Sequence, residues 1–396
     1  MLTPNVLMLS WEYPPRVVGG LAPHVYELSR ALAKKGLEVH VATCDFPGAK
    51  AEEVIDGVKV HRIDSYSYPT PDFATWVAMM NVNLQRELSS IIASNNISLI
   101  HAHDWLVANA AIGLKHMFRI PLVATIHSTE SGRRGGVHND YQRMISSTEA
   151  WLTRESWRII CCSRFMANEV TSTLGVSEHM IDIVPNGIDP DPFNTLFNRE
   201  EFRARFADTN EQLVLFVGRL VQEKGVSNLV EATSLLRDLN IKFVIVGEGY
   251  LKEELIRRVK ELGLSDKVYV TGFLDQDTIR GLFRTADACV IPSIYEPFGI
   301  VALEAMTGGA PIVTTGAGGL GEILKQDKTA VFVYSTRESI AWGIRKILTN
   351  QQYADYLRRQ AQLQVKTFRW GTIASSTLGT YTRIMLEYTQ GKWKPF

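Results

Sequence analysis

The stretch Leu213-Val-Leu-Phe-Val217-Gly218-Arg219-Leu-Val-Gln-Glu-Lys224-Gly225 decides the fold class. An unbroken apolar run that stops at a glycine reads as a strand buried on both faces, because a strand with one wet face alternates apolar and polar residues. Helical spacing then begins at Gly225 and runs to Leu239. A buried strand that feeds a helix through a short glycine-bounded loop is half of a βαβ unit, the building block of a parallel sheet covered on both faces.

The same rhythm continues downstream. Strands are expected at Lys242–Val246, Val268–Val270, Ala288–Ile291, Pro311–Thr314 and Ala330–Val333, with helices at Tyr250–Leu262, Asp275–Arg284, Gly299–Gly308 and Arg337–Thr349. Upstream, strands are expected at Asn5–Leu9, Glu38–Ala42, Val58–Ile63, Ser98–His101, Leu122–Ile126, Arg158–Cys162 and Ile181–Val184, with helices that include Ala22–Lys35, Thr75–Ser94 and Tyr141–Ser156. The densest turn-forming stretch in mid-chain is Val184–Asn194, which holds Pro185, Asn186, Gly187, Pro190 and Pro192. The expectation is two doubly wound α/β domains, over residues 1–190 and 191–370, which suits a chain of 396 residues.

Composition bounds the partners. Lys+Arg and Asp+Glu both number 42, so no basic excess points to nucleic acid or an anionic membrane. The cysteines Cys44, Cys161, Cys162 and Cys289 lack metal-site spacing and are expected as buried free thiols of a reducing cytosol. No apolar run reaches the ~20 residues that a transmembrane helix needs, and Val6–Leu9 is too short for a signal-peptide core. A cytoplasmic protein is expected.

In open α/β sheets ligands bind beyond the carboxyl ends of the strands, so the residues that follow strands carry the functional reading. Gly19–Gly20 lies between the first strand and its helix, where glycines either bring amides to an anion or make a plain tight turn. His101-Ala-His103-Asp104-Trp105 follows a strand; a metal site there lacks a further ligand cluster in the sequence, and Asp104 either accepts from sugar hydroxyls or caps the next helix. His127 follows Leu122–Ile126 and either reaches a ligand or is a hydrogen-bonded structural histidine. Gly218-Arg219…Lys224-Gly225 fits a diphosphate clamp of one planar fork and one point charge, or a solvated loop. Glu296-Pro-Phe298-Gly299-Ile300 and Glu304 offer carboxylates for hydroxyl groups; Gly318-Gly319-Leu320 offers a nest of amides.

These pieces, in this order from residue 10 to about 322, resemble a GT-B glycosyltransferase of family 4, with glycogen and starch synthases as relatives. The resemblance rests on Gly19–Gly20, His103-Asp104-Trp105, His127, Asn186-Gly187-Ile188-Asp189, Arg219 with Lys224, Glu296-Pro-Phe-Gly299 with Glu304, and Gly318-Gly319-Leu320. It implies two Rossmann-like domains that face a central cleft, the first on the acceptor side and the second binding a nucleotide sugar. Residues 371–396 would form a helix that crosses back to the first domain, or simply the last helix of the second. Asp104, His127, Arg219, Lys224 and Glu296 would be catalytic. Gly19, Gly20, Gly218, Phe273, Phe298, Gly299, Ile300, Glu304, Gly318, Gly319 and Leu320 would bind the donor, with main chain at Phe273 on the base.

Glycogen and starch synthases typically carry a lysine two residues before the glycine pair, where this chain has Val17, with Arg16 the nearest cation. The expected reaction is metal-independent, needs no cofactor, and moves a hexose with retention, glucose from UDP- or ADP-glucose being preferred, to a carbohydrate acceptor such as an α-glucan. The competing readings are a lipid or small-molecule glycosyltransferase at a membrane surface, hinted at by Arg133–Arg134, a nucleotide-sugar epimerase, and a non-catalytic nucleotide-sugar binding protein.

Overall fold

The computed structural model describes residues 4–65, 69–391 and 393; of the segment expected over 371–396, residues 392 and 394–396 lie outside them. The chain divides into two compact units, Met1–Gly187 with Trp370–Phe396, and Ile188–Arg369. The breaks fall a few residues before the expected 190/191 and one residue before 370/371. Gly187 belongs with the first unit because it lies against Trp370, whose ring would be 2.7 Å from a Cβ at that position. At the boundary the two chain crossings run side by side in the second unit: Ile188 and Arg369 form a parallel bridge, and the Ile188 N–H donates to the Phe368 carbonyl (2.8 Å).

The first unit holds β1 (Val6–Leu9), β2 (Val39–Cys44), β3 (Glu52–Ile55), β4 (Val58–Ile63), β5 (Leu99–His103), β6 (Leu122–Ile126), β7 (Arg158–Cys161) and β8 (Ile181–Ile183) in one sheet, ordered β3-β4-β2-β1-β5-β6-β7-β8. All neighbours pair parallel except β3 with β4. β1, β2, β5 and β6 are buried along their whole length, β1 and β6 as their apolar composition requires. The last helix, Trp370–Thr389, belongs to this unit; its Ile373, Ala374, Tyr381 and Ile384 share a core cluster with Val25, Leu28 and Leu32 of the helix Leu21–Ala33.

The second unit holds β9 (Gln212–Val217), β10 (Ile241–Val246), β11 (Val268–Gly272), β12 (Ala288–Ile291), β13 (Ile312–Thr314) and β14 (Ala330–Phe332) in a fully parallel sheet, ordered β11-β10-β9-β12-β13-β14. Helices such as Val226–Thr233 and Arg337–Leu348 pack onto it around Val214, Phe243, Val290 and Val313.

Both sheets reverse their winding at one place. β1 has β2 on one side and β5 on the other; β9 has β10 on one side and β12 on the other. Such a switch point leaves a crevice beyond the carboxyl ends of the two strands. In the first unit it is bordered by the loops after β1 and β5, in the second by those after β9 and β12.

Candidate functional site

The loop after β1 is organised by a residue that the sequence reading passed over. Glu12 is buried and its Oε2 accepts the amides of Val18 (2.6 Å) and Gly19 (3.3 Å). Burial raises its pKa while these amides pull it back. An internal carboxylate thus holds the Gly19 amide that the glycine pair was expected to offer to an anion; Gly20 opens the helix Leu21–Ala33 as its N-cap. Arg16 lies over the rings of Trp11 (5.4 Å) and Trp76 (5.8 Å) and donates to the Asp45 carbonyl (3.3 Å).

β5 runs two residues further than expected and carries both histidines inside the sheet. His101 shares hydrogen bonds with Thr125 Oγ1 and Tyr381 Oη, both at 2.7 Å. His103 Nδ1 meets His127 Nε2 at 3.2 Å. Asp104 breaks the strand with φ 61° and makes no side-chain cap. Its Oδ1 instead accepts the His127 amide (2.8 Å), so the carboxylate fixes the loop after β6 rather than a helix end. Burial pushes Asp104 up to about 6 and His127 down to about 3, and holds His24, His101 and His103 well below the ordinary histidine range. At neutral pH the imidazoles are uncharged and Asp104 is ionised.

His24, one turn into the helix Leu21–Ala33, completes the group. Its Nδ1 is 2.7 Å from Asn186 Oδ1, and its ring stands edge-on to His127 (4.6 Å between centroids) and Trp370 (5.5 Å). Nothing local in the sequence marks His24, because its partner lies 162 residues away. Beside this group Glu149 accepts the Glu130 amide (2.9 Å), and burial raises its carboxyl to about 8. Glu130 also pairs with Arg133 (2.9 Å) and Arg134 (3.6 Å), so the arginines that hinted at a membrane surface sit on a carboxylate.

The second unit brings its predicted residues together around two loops. Lys224 Nζ lies 2.7 Å from Glu296 Oε2, which also accepts from Ser293 Oγ (3.1 Å). Two backbone contacts hold the Lys224 loop to the loop after β12. The Glu223 carbonyl accepts the Ile294 amide (2.8 Å), and Gly225, at φ 66°, sits so close that a Cβ would be 2.0 Å from the Pro292 carbonyl oxygen. Gly218 directly follows β9, and Gly247 passes so near it that a Cβ would be 1.9 Å from the Gly218 oxygen. Arg219 is 53% exposed and its guanidinium rests on Glu223 (3.2 Å), four residues on.

Gly299, at φ 101°, is the N-cap of the helix Ile300–Gly308. Glu304 lies inside that helix, partly buried, with its carboxyl raised by burial to about 7 and Arg280 opposing. Leu320 and Phe298 are buried side chains, Phe298 with its ring centroid 6.3 Å from that of Phe368, and the Leu320 amide donates to the Ala317 carbonyl (3.2 Å). In the expected nest the Gly319 amide donates to the Glu296 carbonyl (2.9 Å), which ties the loop after β13 to the Lys224–Glu296 pair. Phe273 presents a 74% exposed ring just after β11, and its amide meets Glu248 Oε1 (3.3 Å).

Comparison with known proteins fits this arrangement. Residues 18–192 match the model described as Glycosyltransferase Family 4, and residues 197–364 the model described as Glycosyl transferases group 1. The chain is 38% identical over 390 residues to an uncharacterized glycosyltransferase of Methanocaldococcus jannaschii, covering 97% of this chain and 99% of that one. The chain belongs to the family 4 glycosyltransferases. A glycogen synthase of Mycobacterium tuberculosis is 36% identical over 397 residues, covering 95% of this chain and 94% of its own. Among solved structures the sucrose-phosphate synthase from Thermosynechococcus elongatus superposes with TM-score 0.85 at 22% identity, over 96% of this chain and 99% of that one. The fold of this family 4 glycosyltransferase is thereby GT-B.

All four cysteines are buried free thiols, and among the described residues no helix is long and apolar enough to cross a membrane.

Proposed function

We propose that this family 4 glycosyltransferase moves glucose, with retention of configuration and without a metal, from UDP- or ADP-glucose to a carbohydrate acceptor, an α-glucan first among them. The observation that carries this reading is the pairing of Lys224 with Glu296, which also accepts from Ser293, where the loops after β9 and β12 meet. A departing nucleoside diphosphate gains negative charge. Preorganised cations held in low dielectric stabilise that charge more than water does. Lys224 is poised by Glu296, and Arg219, on an exposed loop, is free to swing its planar fork onto phosphate oxygens.

Glu296 is also an acceptor for hexose hydroxyls, and Glu304 for ribose hydroxyls. His127, neutral and anchored through its amide by Asp104, donates or accepts a hydrogen bond at the sugar without adding charge. The acceptor hydroxyl attacks the anomeric carbon on the face that the diphosphate leaves, and the leaving phosphate takes its proton. The 36% identity to a chain named glycogen synthase supports an α-glucan as acceptor and glucose as the sugar.

The test is Lys224→Ala. It should lower kcat by about 10²–10³-fold while the circular dichroism spectrum is kept. Turnover within threefold of the wild type would remove Lys224 from the reaction.

A further inference from the structure

Three imidazoles of the first unit form a group that glycosyl transfer alone does not explain. His24, His103 and His127 each offer a ring nitrogen, and the three atoms lie within 4.8 Å of one another. His24 and His103 are 4% and 0% exposed, and the Nε2 atom of each is buried without a hydrogen-bond partner among the described residues. The unpartnered His24 Nε2 costs free energy that a ligand bound to it would recover.

The tautomers are set by the partners. Asn186 Oδ1 only accepts, so His24 Nδ1 carries the proton and His24 Nε2 a bare lone pair. A histidine whose second nitrogen donates to a fixed oxygen is how a metal-ligating imidazole is oriented. His103 Nδ1 and His127 Nε2 share one proton across 3.2 Å. That separation matches the edge of a tetrahedron with metal–nitrogen bonds of 2.0–2.1 Å, about 3.3 Å. With that proton moved to the other nitrogen of its own ring, a cation finds two ligands already spaced, and the His24 ring, 4.6 Å from that of His127, brings the third.

We propose that His24, His103 and His127 form a binding site for a borderline-soft divalent cation of the zinc type. The donor set is all nitrogen, which suits zinc or cobalt and not magnesium or calcium. The Asp104 carboxylate, on the His127 amide, supplies compensating charge without being a ligand. His127, the partly exposed member, gives the ion its way in. Occupancy takes the His127 imidazole away from the sugar, so the cation is an inhibitor. That consequence rests on the role proposed for His127; the site itself does not.

Full-length protein stripped with a chelator is titrated with Co²⁺, whose visible absorption reports four-coordinate nitrogen ligation, and Zn²⁺ is then added to displace it. The expected result is one equivalent of cobalt with a four-coordinate band that zinc removes. His24→Gln and His103→Gln should each weaken binding by at least about tenfold. His61→Gln should leave it intact; it tests the other close pair, His40 and His61, at 3.0 Å.

No four-coordinate band in the wild type overturns the site, whatever the variants' folding. A band lost in His61→Gln and kept in His24→Gln overturns it equally. In a parallel assay, Zn²⁺ at one equivalent should abolish transfer. If cobalt binds as described and transfer is untouched, the metal site stands and the assignment of His127 to the sugar falls.

Discussion

Glu149 offers the sharpest link between a buried group and a bulk property. Its side chain is 1% exposed, its Oε1 accepts the Glu130 amide, and its Oε2 has no partner among the described residues. Burial, with Asp104 and Glu130 adding like charge, moves the carboxyl from 4.5 to about 8. Between these values the folded chain keeps a proton that the unfolded chain releases. Stability therefore falls as pH rises across that window, and the loss is complete above about 8. At about 1.36 kcal/mol per pH unit the loss reaches about 5 kcal/mol.

Glu149→Gln keeps the acceptor for the Glu130 amide and cannot ionise. The variant should match the wild type in urea unfolding at pH 5 and exceed it by up to about 5 kcal/mol at pH 9. Far-ultraviolet circular dichroism followed across a urea series at five pH values measures the difference. A gap that is constant with pH would show that Glu149 is already ionised in the folded chain and would refute the reasoning.

Two further outcomes follow from the same structure. If Glu304 accepts ribose hydroxyls as a carboxylate, its ionisation near 7 should lower the KM for the donor as pH rises from 6 to 8, and Glu304→Gln should flatten that profile in initial-rate measurements. Tyr381→Phe removes one of the two hydrogen bonds of the buried His101 and should cost about 1–3 kcal/mol in thermal unfolding, since an imidazole nitrogen is left unsatisfied.

The fold class was legible because a sheet buried on both faces leaves its mark on the strands at its centre. β1, β6, β9 and β10 are near-continuous apolar runs, and the switch-point rule then directs attention to the loops after them. What escaped were the elements without that mark. β3, Glu52-Glu-Val-Ile55, is a short edge strand with alternate residues exposed, paired antiparallel to β4. The helix Gln351–Gln364 follows the helix Arg337–Leu348 almost at once and is rich in glutamine, so no apolar run announces it. The helix expected over Gly225–Leu239 stops at Thr233 and tightens into a 3₁₀ turn at Ser234–Leu236.

For the site, sequence position identified which residues end strands but not what they touch. His101 was placed at a strand end, yet Tyr381, 280 residues on, is what holds it. His24 and Glu12 were missed because a buried polar side chain on a helix or after a strand shows no period. Only the tertiary fold brings Asn186 to one and the Val18 and Gly19 amides to the other.

The central claim is retaining transfer from a nucleoside diphosphate glucose. Proton NMR of the first glycosidic bond, made from UDP-α-glucose or ADP-α-glucose and a maltooligosaccharide in the presence of a chelator, reads it directly. The account predicts an α-linked anomeric signal that grows with nucleoside diphosphate release; a β-linked product, or no transfer until a metal is restored, would contradict it.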